Sequence, residues 1–142
     1  MAAAVVTQSI VIVPVIIIGL ILAVLELIFV HQDEAGMGWL THGFHAIPTM
    51  LIFVFISMNI PLVEQWLKIS NSIWIVVGIR TLIGIIAAVK ISAAAAVAGR
   101  VGEKLPHTLI IAGLIIAAPF AWELIGCTIP VIHALPGSGC KA

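Results

Sequence analysis

Apolar and polar positions fall in long blocks along this chain, not at the short periods of a water-soluble fold. Apolar runs extend from about Val5 to Val30, Ala46 to Val63, Ser72 to Ala98 and Thr108 to Ile125. Breaks follow the first three: His31-Gln32-Asp33-Glu34, then Glu64-Gln65-Trp66-Leu67-Lys68, then Gly99-Arg100-Val101-Gly102-Glu103-Lys104. A Pro- and Gly-rich tail closes the chain from Gly126 to Ala142. About 20 mostly apolar residues suffice to cross roughly 30 Å of hydrocarbon as a helix. A barrel strand would instead alternate over about 10 residues. The pattern therefore predicts an all-α integral membrane protein. Its expected form is a single domain of four transmembrane helices, an up-down bundle with short loops and both termini on one face.

Composition strengthens this reading. Apolar residues make up 63% of the 142 residues and charged residues 8%. Mean hydropathy is +1.31. A soluble domain is nearer a quarter charged. Six basic residues balance six acidic ones, so the basic stripe a nucleic-acid binder needs is missing. The first run is much longer than a signal-peptide core and has no basic residue before it, so a span is expected there and not a cleaved leader.

Four crossings put the termini and the 64–71 loop on one face, A, and the 31–45 and 99–107 loops on the other, B. Lys68 and Lys141 on A tie with Arg100 and Lys104 on B under the positive-inside rule. The lack of a basic residue before the first span, and both cysteines lying at A, favour A outside. The expected location is the cell (cytoplasmic) membrane.

Charges interrupt the spans at Glu26, Arg80, Lys90 and Glu123. A centred charge costs about 2.5–3.5 kcal/mol on insertion scales. With alternating helix directions, Glu26 shares a depth with Lys90, and Arg80 with Glu123, so two interhelical pairs are expected. Snorkelling to the interface is the plainer alternative. Small residues support close packing in lipid. Arg80, Gly84, Ala88, Ser92 and Ala96 recur every four residues, as do Gly113, Ala117 and Ala121. Ala112, Pro119, Glu123 and Gly126 share a face, and Gly19, Ala23 and Glu26 lie together on the first span. Pro14 and Pro119 are expected to remove helical hydrogen bonds.

Face B gathers His31, His42, His45 and His107 with Asp33, Glu34 and Glu103. Histidine ligates transition metals and haem iron, so His42, His45 and His107 are the candidates for a haem or metal. Interfacial polar residues are the commoner meaning of such a set. Cys127 and Cys140 are positioned to staple the tail by a disulfide on an oxidising face. Soluble catalytic signatures such as Gly-x-Ser-x-Gly, a phosphate-cradling loop or His-Glu-x-x-His are missing, and no enzymatic role is expected. The leading expectation is a non-catalytic subunit of a homo- or hetero-oligomeric membrane assembly. A small oligomeric ion- or proton-coupled transporter using Glu26, Arg80, Lys90 and Glu123 is second, and a haem or metal redox subunit third.

Overall fold

The computed structural model describes residues 10–33, 39–69, 72–97, 104–129 and 132. Among them are five helices and no strand: α1 (Val13–Asp33), α2 (Trp39–Met58), α3 (Ile60–Leu67), α4 (Ile73–Val97) and α5 (Leu105–Thr128). Three helices, α1, α4 and α5, are long and apolar enough to cross a membrane. A fourth span is counted if α2 and α3, which meet at an angle of 72°, are taken as one.

That bend corrects the expectation of a single span over 46–63. α2 starts earlier, at Trp39, and ends at Met58. Pro61 falls in the first turn of α3. Proline has no N–H to continue the helical bonding, and its ring disfavours helix in the residues before it, so a break is favoured there. Asn59 does so, at φ −111° and ψ 40°. Its side chain supplies local bonds. Oδ1 accepts the Val11 N–H at 2.8 Å, and Nδ2 donates to the Phe55 carbonyl at 2.9 Å and the Val11 carbonyl at 3.2 Å. The break is thereby tied to the entry of α1. Lys68 ends α3 in the left-handed region, φ 53°, with its N–H and that of Ile69 on the Glu64 carbonyl.

A second correction concerns Pro14. It sits at the second residue of α1, where the first N–H groups lack helical acceptors anyway. It therefore starts the helix and removes no bond from it. Pro119 does lie inside α5. The carbonyl it orphans, one turn back, belongs to Ile115. Ser57 of α2, fully buried, donates its hydroxyl to that carbonyl at 2.9 Å. The bond repairs the interruption from a neighbouring helix.

α1 packs along α2, and α4 packs on α5, with α2 and α5 across the centre. Their common core includes Leu22, Met50, Val54, Ile83, Ala87, Ile111 and Ile115. Two glycines set the closest approaches. A Cβ on Gly19 would lie 2.7 Å from Leu51 Cδ2. On Gly84 it would lie 2.6 Å from Ile116 Cγ1 and 3.3 Å from the Ala112 carbonyl oxygen. In the same row, Ala88 is half-buried and Ser92 exposed. Gly113, Ala117 and Ala121 are all exposed, and a Cβ on Gly113 would meet nothing within 4 Å. Among the described residues that row faces outward.

Candidate functional site

Polar chemistry concentrates at the two ends of α1. At its C-terminal end stands Asp33, whose side chain is 1% exposed. Lys104 Nζ lies 2.8 Å from Oδ1. The Lys104 backbone N–H donates to Oδ2 at 2.9 Å. His107 Nδ1 lies 2.6 Å from the same oxygen. A carboxylate only accepts, so His107 carries its hydrogen on Nδ1. Lys104 is the residue before the first turn of α5 and makes no side-chain cap of its own. Asp33 thus supplies that cap from another helix, placing negative charge where the α5 dipole is positive. The His107 ring stacks on Phe29 with centroids 4.3 Å apart and planes 13° apart. Beside it, His31 packs on Trp39 at 4.0 Å.

This arrangement engages His107, one of the three histidines expected as candidates for a haem or metal. His107 has one ring nitrogen on Asp33 and one ring face on Phe29. His45 is exposed on α2. The His42 side chain, and Glu34 and Glu103, lie outside the described residues. Among the described residues, no three His, Cys, Asp or Glu side chains gather as a metal site. Cys127, at the end of α5, is not a free thiol. Its expected partner Cys140 lies outside the described residues.

The four charges expected within spans have different surroundings. Glu26 is buried in α1, 4% exposed. Lys90 is exposed on α4, and its Nζ is 3.4 Å from Thr49 Oγ1 of α2. Arg80 is half-buried, with its guanidinium carbon 4.6 Å from the Phe120 ring centroid. Glu123, three residues beyond Phe120, is exposed and near enough to act on Arg80 through its charge. Among the described residues no direct ion pair joins Arg80 and Glu123. The other members of the Glu123 row, Ala112, Pro119 and Gly126, turn inward.

At the N-terminal end of α1, the Asn59 break opens a shallow cleft of about 70 Å³, lined by Val11, Met58, Pro61, Leu62 and Gln65 among others. On the inner side of α3, Ile60 and Glu64 are buried one turn apart. Glu64 is 6% exposed, and its Oε1 has no hydrogen-bond partner among the described residues.

Four residues that organise these sites were not singled out from the sequence: Ser57, Asn59, Glu64 and Lys104. The Asn59-Ile60-Pro61 triplet was the available signal, because the residues before a proline avoid helical geometry. The reach of Ser57 to Ile115 has no such signal. No family model, curated protein or solved structure matches this chain.

Proposed function

We propose that the chain is a four-span membrane protein, with α2 and α3 together forming the second span and both termini on one face. We further propose that it serves as a non-catalytic subunit of a homo- or hetero-oligomeric membrane assembly. The observation that carries the reading is how little of each span the chain covers by itself. Buried residues make up 33% of the apolar window in α1, 22% in α4 and 39% in α5. The outer surfaces carry Ile21, Ile52, Leu82, Val89, Leu109 and Leu124, all more than half exposed. At about 25 cal/mol per Å² of apolar surface, such helices are far more stable against hydrocarbon or another apolar chain than against water.

The outward Gly113, Ala117 and Ala121 row supports a neighbour in place of lipid on that side of α5. Small residues at this spacing permit close helix contact in membranes. Native mass spectrometry from mild detergent, after carbonate extraction of membranes, tests both parts. The expected result is a carbonate-resistant species of defined oligomeric mass, or one with co-purifying subunits. A lone monomer rejects the subunit reading, and release into the aqueous wash rejects the membrane reading.

Transport is the second reading, and the burial of Glu26 inside α1 favours it. Ionisable groups at such positions mark ion and proton paths in many membrane proteins. Liposome flux that survives Glu26→Gln unchanged removes that support.

A further inference from the structure

A carboxylate removed from water needs a compensating charge or hydrogen-bond donors. Asp33 has three donor groups. Glu64 has the burial without the compensation. No hydrogen bond or ion pair reaches its carboxyl group among the described residues, and Oε1 is sealed from the surface. Besides His42 of α2, whose side chain lies outside the described residues, the charged and titratable groups on the elements packed against α3 are His45 of α2 and Arg80 and Lys90 of α4. None of them bonds to Glu64, nor does Lys68 at the exit of α3 itself.

The backbone beside it is also left with acceptor capacity. Pro61 has no N–H to return to the Ser57 carbonyl, so the last turn of α2 ends without that bond. The last carbonyls of a helix carry the negative end of its dipole. Nearby donors are already committed. The Asn59 amide is spent on Phe55 and Val11, and the Leu62 N–H on the Asn59 carbonyl. A 72° break, a helix C-terminus lacking one donor and a buried acid with an unpartnered oxygen thus follow one another along residues 57–64. Broken spans in transporters place cation sites in such surroundings.

The geometry points to Glu64 as the binding residue for a small cation, a proton or an alkali metal ion, held at the α2–α3 bend. The inference rests on α2 and α3 lying together in the membrane, as proposed above. It concerns a residue that neither the subunit reading nor the Glu26 transport reading uses.

Dicyclohexylcarbodiimide, which modifies protonated carboxyl groups in apolar surroundings, tests it on the full chain in liposomes, with peptide mass spectrometry locating the adduct. The expected result is modification at Glu64, lost in Glu64→Gln and slowed either by sodium at fixed pH or by raising pH. Sodium protection identifies a metal ion, and pH dependence alone identifies a proton. Glu64→Asp, which keeps the acid, is expected to retain modification, and circular dichroism verifies that each variant is folded. No adduct at Glu64 in the folded wild-type chain overturns the inference, as does an adduct insensitive to both sodium and pH. Because the protein must first be shown to resist carbonate extraction, failure at Glu64 is separable from failure of the membrane reading.

Discussion

Two buried carboxylates, Asp33 at the C-terminal end of α1 and Glu64 in α3, present the same chemical problem in different surroundings. Asp33 meets the start of a helix, where N–H groups point outward, and collects a backbone amide, an ammonium and an imidazole. Glu64 sits in α3, past the break at Asn59, and its Oε1 has no hydrogen-bond partner among the described residues. Donor groups at a helix start thus separate the acid that is satisfied from the one that is not. A satisfied polar cluster is expected to be rigid and structural.

The contrast gives an ordered set of measurements, all read as thermal or denaturant unfolding in one detergent. Asp33→Ala leaves the Lys104 ammonium, its N–H and the His107 ring without their acceptor. It is expected to cost about 2.5 kcal/mol, the range for lost charge-assisted hydrogen bonds together with a lost helix cap. A loss below about 0.5 kcal/mol, the range of ordinary surface changes, contradicts the staple. Asn59→Ala removes three bonds that tie the break to Val11 and Phe55, and a loss of about 2 kcal/mol is expected from unsatisfied buried groups. Should the bend instead be imposed by Pro61 alone, the loss is near zero.

Ser57→Ala deprives the Ile115 carbonyl of its donor and is expected to cost about 1 kcal/mol. Pro119→Ala restores an amide to that carbonyl, so the Ser57 penalty shrinks in the double variant; purely additive losses refute the repair. Lys104→Ala leaves the backbone amide and His107 in place. Because the Lys104 side chain is 67% exposed, a loss under about 1 kcal/mol is expected. Equality with the Asp33→Ala loss places the strength of the cluster in the ammonium and not in the helix terminus.

The sequence made the apolar helices legible because a membrane demands long unbroken runs, and such runs survive without knowledge of tertiary contacts. α4 and α5 match their runs closely. The gathering of His31, Asp33 and His107 at one end also follows from counting crossings. The bonds between them do not, since Asp33 finding Lys104 depends on helix rotation and register. Proline position was readable, but its effect was not. Pro14, Pro61 and Pro119 respectively begin a helix, break a span and sit within one. The difference lies in how many helical residues precede each and in whether a neighbour such as Ser57 replaces the lost bond. Gly84 and Gly113 teach the same lesson. Both belong to small-residue rows, yet a Cβ on one would collide with Ile116, while a Cβ on the other would meet nothing within 4 Å among the described residues.

The Ser57 hydroxyl has a consequence for biogenesis. Its acceptor, Ile115, is synthesised 58 residues later, after α3 and α4 have been made. Until α5 is made, that hydroxyl has no Ile115 carbonyl to bond, and α2 meets α4 through Thr49 and Lys90. Closure of the core around Ile115 waits for α5, and a chain halted before it is left without that fastening.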